Sequence, residues 1–443
     1  MKCPRNVPSQ VKRHNLDMAT GTSLSHVFPL GSRINERGHV EVSGCYTIDL
    51  AREFGTPAYV VAEDDLRARA RAFVQAGRDA GQEDFGVVFA SKAFPCTAVL
   101  SLFAEEGLWC DVASGGELYL ALNAGFPPER ILMHGNAKSE AELTYALEQG
   151  IGLIVIDNFD EIDRLATLVD APRDVLIRVT PDVRGETHEK ISTGQADSKF
   201  GFSMADVPAA IARVREVPGL VLRGVHAHIG SQLLELEPFR REVGALARIG
   251  EEAGGFSTYD LGGGLGVAYT EAQRPPEIEA WVGALLGAAC EAGIAPSSRI
   301  LIEPGRSLTA NAGITLYTVE SVKRNVSTWV AVDGGMSDNL RPMLYGATYE
   351  ARLADRSSLP VESPCVLAGK HCESGDVIAR EVFLEEPKPG DIVLTPATGA
   401  YGFAMASNYN GVPRPPVVFC KDGDARVVVR RETFEDLTAR DVL

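Results

Sequence analysis

Eight short runs of β-branched and other apolar residues recur between about residues 85 and 305, and each run ends at a small or polar residue. Stretches with apolar residues at three- and four-residue steps, typical of amphipathic helices, lie between them, for example residues 139–149, 160–168, 204–217 and 239–253. Strands that are apolar on both faces and alternate with helices predict a parallel sheet. The eight runs are residues 85–92, 108–114, 130–136, 153–158, 175–182, 222–230, 258–264 and 299–305.

Eight such units in this length of chain match a (β/α)8 TIM barrel, whose active site forms where the strands end. Residues 20–55 and 314–443 instead contain strand-like runs between Gly, Pro and Asp turns, which favours a second, mostly antiparallel β domain. We therefore expect an N-terminal tail and joining segment over 1–55, a barrel over 56–313 and a C-terminal β domain over 314–443. Within the last, residues 399–409 are expected to form one helix.

Charge and cysteine usage limit the classes of partner. Forty-three Lys and Arg against 60 Asp and Glu give a net charge of −17, which disfavours nucleic acid and anionic membrane surfaces as partners. No apolar stretch is long enough to span a membrane, and the first 13 residues lack the apolar core of a secretory signal. The eight cysteines are scattered without a Cys-x-x-Cys pair, which favours reduced thiols in the cytoplasm and disfavours structural zinc.

A lysine directly follows the first predicted strand. Lys92 comes after the apolar residues 87–90, so we expect it to point into the barrel mouth and to lose water there. A lysine that burial deprotonates can attack a carbonyl and form a Schiff base. Most lysines are solvated surface residues, and the motif alone does not decide between the two.

Two loops after the seventh and eighth strands carry further candidates. The glycines of residues 260–266 would let backbone amides approach a phosphate, although a plain tight turn is a rival. Glu303 and Arg306 flank a Pro-Gly turn, and a carboxylate there can keep a pyridine nitrogen protonated while an arginine binds phosphate or carboxylate. The alternative is an ordinary surface pair.

The sixth strand ends in two histidines, His226 and His228, whose spacing places both side chains on one face of a strand. This spacing can bind a metal, which is one alternative. No carboxylate or third histidine lies immediately beside the pair in the sequence. We therefore favour a stacking or hydrogen-bonding role and predict no metal.

In this order along the chain, the motifs resemble those of the diaminopimelate decarboxylases, pyridoxal 5'-phosphate enzymes of the alanine-racemase-like fold class. The resemblance covers the chain from about residue 25 to its end, and the motifs are specific as an ordered set. They are FASKA around Lys92, DVASGGEL from Asp111, the segment 185–203, HAHIGSQ from His226, GGGLG from Gly262, EPGR from Glu303, RPMLYGA from Arg341, CESGD from Cys372 and GAYGFAMASNYN from Gly399.

The resemblance implies how the cofactor is held. Lys92 would form the Schiff base with pyridoxal phosphate, His228 would stack on its ring, and Glu303 would face the pyridine nitrogen. The other cofactor contacts would be Ser231, Gly262, Gly263, Gly264, Gly305, Arg306 and Tyr401, of which Ser231, Arg306 and the glycine loop 262–264 lie near the phosphate.

The resemblance also implies a homodimer with shared active sites. Arg341 and Tyr345 would bind the distal end of the substrate, Arg306 its carboxylate, and Tyr401 both substrate and cofactor. From the other subunit, Cys372 would enter as the proton donor and Glu373 would contact the distal ammonium. Independently of the family, Cys372 lies in a polar Gly-rich loop, as a general acid requires, but an ordinary exposed thiol is the alternative.

The activity that the resemblance implies is the decarboxylation of meso-2,6-diaminoheptanedioate to L-lysine, the last step of lysine biosynthesis. Three alternatives remain at this point. They are a decarboxylase for ornithine, arginine or a carboxylated polyamine, whose substrate would leave Arg341 unpaired, a catalytically silent homologue, and a metal-dependent barrel enzyme.

Overall fold

The computed structural model describes residues 22–183, 198–356 and 364–442. The segment 185–203 of the sequence motifs lies mostly outside these ranges, as does the N-terminal tail up to residue 21. The chain divides into two compact units. The first comprises Arg67–Gly266 and Pro275–Ser307, and the second runs up to Leu66, over Val267–Arg274 and from Leu308 onwards.

The first unit is a closed barrel of eight parallel strands, as predicted. Each strand pairs with the next along the chain, and the eighth pairs with the first to close the ring. The strands are Phe85–Ala90, Trp109–Val112, Ile131–Met133, Leu153–Ile156, Arg173–Thr180, Leu220–His226, Thr258–Asp260 and Arg299–Ile302.

Helices separate successive strands of the barrel and bury one face each. Several begin at side-chain caps, as at Ser114, Ser139 and Asn158, where the side chain accepts a hydrogen bond from a backbone N–H of the first turn. The helices are Glu63–Asp79, Thr97–Glu105, Gly115–Asn123, Glu140–Gln149, Phe159–Leu168, Val207–Glu216, Glu237–Glu252 and Ile278–Glu291, followed by the short helix Arg306–Thr309. None of the helices in the described ranges is both long and apolar enough to cross a membrane.

The second unit is built on a mostly antiparallel sheet around the long strand Gly313–Arg324. Its other strands are Ala58–Ala62, Thr328–Val332, Arg352–Leu353, Cys365–Ala368, Val377–Val382, Ile392–Pro396, Val417–Lys421 and Asp424–Val429. A small sheet of Thr22–Ser23, Arg33–Ile34, Val40–Val42 and Cys45–Tyr46 and the helices Thr47–Phe54, Arg341–Tyr345 and Phe434–Thr438 complete it.

Two local expectations differ from the structure. The strand Ala58–Ala62, which the expected barrel segment 56–313 included, pairs with Gly313–Arg324 and Val417–Lys421 in the second unit. All five of its residues are buried, and a continuous apolar run does not reveal which sheet it joins. Residues 399–409 do not form one helix but contain a short 3-10 turn, Phe403–Met405, because Tyr401 has a φ of 66°, outside the helical region.

A buried ion pair stabilises the loops after the third and fourth strands. Lys138 Nζ lies 2.9 Å from Glu161 Oε1, and both side chains are almost completely buried. The same amine donates hydrogen bonds to the carbonyls of Gly135 and Val155. The pair therefore ties the loop that follows the third strand to the fourth strand and to the helix Phe159–Leu168.

Removal of one member of this pair should destabilise the barrel strongly. Lys138→Met leaves the Glu161 carboxyl buried without its partner, and we expect a loss of about 3–5 kcal/mol in the free energy of unfolding. The double variant Lys138→Met/Glu161→Leu should recover most of this loss. Chemical denaturation measures both.

The exposed pair Arg213–Asp163, which is 2.8 Å apart, is the matched control. Arg213→Met should change stability by less than about 1 kcal/mol, because water screens this pair. A similar loss for Lys138→Met and Arg213→Met would contradict the role assigned to the buried pair.

Candidate active site

Four ionisable side chains from different strands meet at one end of the barrel. His226 and Asp260 are the last residues of their strands, and His134 and Glu303 directly follow theirs. The carboxyl ends of the parallel strands share one edge of the barrel, so residues far apart in sequence come together there. All four are buried, Glu303 with 8% of its surface exposed.

Glu303 lies between the two imidazoles. Its Oε1 is 2.6 Å from His134 Nε2, and its Oε2 is 3.1 Å from His226 Nε2. Burial lowers the pKa of His226 to about 4, so this ring is neutral at pH 7 and Nε2–H donates to the carboxylate. Burial raises the pKa of Glu303, but His134 and His226 outweigh it and hold that pKa well below its usual range. Glu303 is therefore an anion.

Two other buried acids nearby have the opposite tendency. Burial, and then the charge of Glu303, raises the pKa of Asp260 well above its usual range. Burial also raises the pKa of Asp111, against the opposing effect of His134. Neighbouring acids in one low-dielectric site cannot all ionise. The negative charge is therefore on Glu303, which has the histidine partners.

The glycine-rich loop follows the seventh strand in a conformation that a side chain would prevent. A Cβ at Gly263 would lie 2.0 Å from the carbonyl oxygen of Glu303, and one at Gly262 would lie 2.2 Å from that of Ala227. Gly262 also has a φ of 59°. These glycines therefore bring the backbone against the ends of the sixth and eighth strands.

His228 and Ser231 lie beside this loop. The amide of Gly263 donates a hydrogen bond to His228 Nδ1 over 3.2 Å, so the proton of the neutral ring is on Nε2. Burial, and then the charges of Lys92 and Arg178, lowers the pKa of His228 well below its usual range. Arg306 Nη2 donates to Ser231 Oγ over 2.8 Å, which places a guanidinium and a hydroxyl together.

Lys92 lies in the 3-10 turn Ser91–Ala93, directly after the first barrel strand. Its side chain is exposed, so the expectation that it is desolvated is wrong. The turn buries Ser91 and Ala93 and leaves the lysine side chain exposed. Its positive charge nevertheless acts on the end of the barrel. It opposes the rise in the pKa of Asp111 and adds to the fall in the pKa of His228.

Five of the predicted site residues belong to the second unit. Arg341, at the start of the helix Arg341–Tyr345, is 5% exposed and donates a hydrogen bond to the hydroxyl of Tyr349. Cys372 and Glu373 are exposed in a loop that Asp376 fixes by accepting hydrogen bonds from backbone amides. Tyr345 and Tyr401 are half-buried.

Sequence reasoning missed His134, Asp111 and Asp260 as members of the site. His134 lies inside one of the predicted strand runs, and its position directly after an apolar segment was the available signal. The sequence argument against a metal was that no third histidine or carboxylate lies beside His226 and His228. In the structure His134, Asp260 and Glu303 do lie near His226, so that argument no longer holds. His134, His226, Asp260 and Glu303 each offer one ligand atom, all within 4.8 Å of one another.

Comparison with known proteins identifies the family. Residues 63–310 match the pyridoxal binding domain of the pyridoxal-dependent decarboxylases. The chain is 47% identical to the diaminopimelate decarboxylase of Actinosynnema pretiosum subsp. auranticum over 94% of this chain and 95% of that one. It is 45% identical to the Bacillus subtilis enzyme over 93% and 97%.

A solved structure supports the same assignment. The crystal structure of diaminopimelate decarboxylase from M. jannaschii in co-complex with L-lysine matches with a TM-score of 0.87 at 32% identity, over 93% of this chain and 98% of that one. The barrel and the second, mostly antiparallel unit are thus those of the alanine-racemase-like fold. The chain therefore belongs to the diaminopimelate decarboxylases, which are lyases that use pyridoxal phosphate.

Proposed function

We propose that the chain decarboxylates meso-2,6-diaminoheptanedioate to L-lysine and CO2, the last step of lysine biosynthesis, with the site residues acting as follows. One observation carries the choice of substrate. Arg341 is a buried guanidinium that forms no ion pair with any carboxylate of the described residues. A buried cation without a carboxylate partner is costly, so this position favours an anionic ligand group. The distal carboxylate of this substrate supplies one.

The barrel residues fit pyridoxal phosphate by their chemistry. An anion at Glu303 suits a protonated pyridine nitrogen, and the amine of Lys92 suits the aldehyde. The guanidinium of Arg306 with the hydroxyl of Ser231 suits a phosphate. When bound, this cofactor supplies a protonated ring that accepts the electron pair left by departing CO2.

Each barrel residue then has a defined task. Lys92 would hold the cofactor at its aldehyde, and Glu303 would hold a proton on the ring nitrogen. His228 presents the face of a neutral ring, with its Nδ1 fixed by Gly263. The remaining cofactor contacts are Ser231, Gly262, Gly263, Gly264, Gly305, Arg306 and Tyr401.

The substrate contacts come from the last four motifs along the chain. Arg341 and Tyr345 bind the distal end, Arg306 the carboxylate near the cofactor, and Tyr401 both substrate and cofactor. Cys372 and Glu373 of one protomer complete the site of the other in a homodimer. Their exposed loop supports this proposal, because a residue that serves another subunit must be accessible. Glu373 contacts the distal ammonium, and Cys372 Sγ gives a proton to the carbon that has lost CO2.

A cytoplasmic location is part of the same proposal. The seven cysteines of the described residues form no disulfide with one another, as expected in a reducing compartment. The alternatives are a decarboxylase of ornithine, arginine or a carboxylated polyamine, a catalytically silent homologue and a metal-dependent enzyme. The first would leave the buried Arg341 without a carboxylate partner.

The substrate assay tests the activity. Release of CO2 should be fastest from meso-2,6-diaminoheptanedioate, and L-lysine, L-ornithine and L-arginine should be poor substrates, because none of them supplies a carboxylate to Arg341 at the distal end. Arg341→Leu should reduce kcat/KM for the dicarboxylate by about a hundredfold, the loss of a charged hydrogen-bonded contact. Preference of the wild-type enzyme for ornithine or arginine would contradict the proposed substrate.

The proton donor is tested by Cys372→Ala. We expect kcat to fall by at least about a hundredfold with little change in KM, because a general acid acts in the transition state. Cys290→Ala is the matched control, since Cys290 is also an exposed cysteine. An effect on KM alone, or an equal loss in both variants, would contradict the assignment.

The same variant tests the shared site. Lys92→Ala and Cys372→Ala subunits, each inactive alone, should regain about a quarter of wild-type activity when mixed and reassociated, because each hybrid dimer has one intact site. Mass spectrometry verifies that hybrids form. No recovery in verified hybrids would show that each site is built from one subunit.

A further inference from the structure

Arg341 is enclosed by two tyrosines of its own unit. Its Cζ lies 4.4 Å from the ring centroid of Tyr269 and 5.5 Å from that of Tyr349. The two rings meet edge to face, with centroids 5.2 Å apart and an interplanar angle of 74°. Tyr269 is 4% and Tyr349 2% exposed. The guanidinium is therefore held by aromatic faces rather than by an acidic side chain.

The contacts orient the guanidinium without using all of its donors. Nη1 donates to the Tyr349 hydroxyl, while Nε is buried with no hydrogen-bond partner. No Asp or Glu of the described residues forms an ion pair with it. A buried donor and a buried charge that remain unsatisfied both cost free energy. Both costs fall when an anion binds to the free edge of the guanidinium.

A long side chain such as arginine loses considerable rotamer entropy when it is fixed. If the tyrosines fix Arg341 during folding, that cost is not incurred when the ligand binds, and affinity increases. The hydroxyl of Tyr349 fixes the orientation of the planar guanidinium, which is set by rotation about Cδ–Nε. Two parallel hydrogen bonds to a carboxylate depend on this rotation.

We propose that Tyr349, with Tyr269, is a positioning residue that sets the specificity of this enzyme for a substrate with a distal carboxylate. Tyr349 acts through Arg341 and does not itself contact the reacting atoms. The proposal rests on the proposed function, in which Arg341 receives that carboxylate.

The chemistry of the reaction supplies a probe of this subsite alone. Decarboxylation removes CO2 from one stereocentre, so L-lysine retains the amino and carboxylate groups of the distal one. 1,5-Diaminopentane has the same chain length and both nitrogens but no carboxylate. The ratio of the two dissociation constants therefore reports the contribution of the carboxylate contact at Arg341.

The experiment measures direct binding of both compounds to the cofactor-loaded enzyme, together with the kinetics for meso-2,6-diaminoheptanedioate. In Tyr349→Phe we expect the dissociation constant of L-lysine and KM for the substrate to rise about tenfold, the value of one hydrogen bond to a charged group. Binding of 1,5-diaminopentane and kcat should change less than about twofold. Tyr269→Leu removes the other aromatic ring but keeps the Tyr349 hydroxyl. It should change the ratio of the two dissociation constants in the same direction.

Tyr317→Phe is the matched control. Tyr317 is fully buried in the same unit, and its hydroxyl donates to Asp338 Oδ1 over 2.6 Å. This variant also loses one buried hydrogen bond but should leave the binding ratio unchanged. A shift of the ratio in Tyr317→Phe as large as in Tyr349→Phe would show a general structural effect and overturn the proposal.

Three further outcomes distinguish a failure of this proposal from a failure of the proposed function. If Arg341→Leu abolishes the preference for L-lysine while Tyr349→Phe retains it, the positioning role is wrong and the carboxylate contact stands. If the wild-type enzyme binds L-lysine no better than 1,5-diaminopentane, the site of Arg341 does not receive a carboxylate and both proposals fail. Absence of turnover with unchanged binding ratios would overturn only the proposed function.

Discussion

The contact of the buried Glu303 carboxylate with His134 and His226 is the interaction on which the proposed chemistry of the barrel depends. A buried carboxylate is stable as an anion only when close partners compensate for the water it has lost. Here the compensation comes from imidazoles at 2.6 and 3.1 Å. Because Asp111 and Asp260 have raised pKa values, the negative charge at this end of the barrel is on the two carboxylate oxygens of Glu303. Under the proposed function, this localised charge is what keeps the ring nitrogen of the cofactor protonated.

The barrel fold produces this arrangement from ordinary elements. Parallel strands bring residues 134, 226, 260 and 303 to one edge, although more than 160 residues separate the first from the last. The glycines after the seventh strand allow the backbone to pass within contact distance of the sixth and eighth strands, and they fix His228 through an amide hydrogen bond. In the second unit the charges are reversed, since Arg341 is a buried cation whose surroundings are aromatic.

Much of this was predictable from sequence, for a physical reason. Strand and helix alternation is a local pattern, and the ends of barrel strands are known in advance to face the site, so Glu303 and the glycine loop could be named. His134 could not be named, because its importance depends on a distance to Glu303 across the barrel. The exposure of Lys92 depends on a 3-10 turn of three residues, and the sheet that Ala58–Ala62 joins depends on pairing with residues over 250 positions away. Neither has a local sequence signal, and the roles of individual residues came from the family resemblance.

The charge at Glu303 is tested most directly by nuclear magnetic resonance of the enzyme loaded with pyridoxal phosphate that carries nitrogen-15 in its ring. The account predicts the chemical shift of a protonated pyridine nitrogen in the wild-type enzyme at neutral pH, and its loss in Glu303→Gln. The shift of an unprotonated nitrogen in the wild-type enzyme, or an unchanged protonated signal in Glu303→Gln, would contradict it.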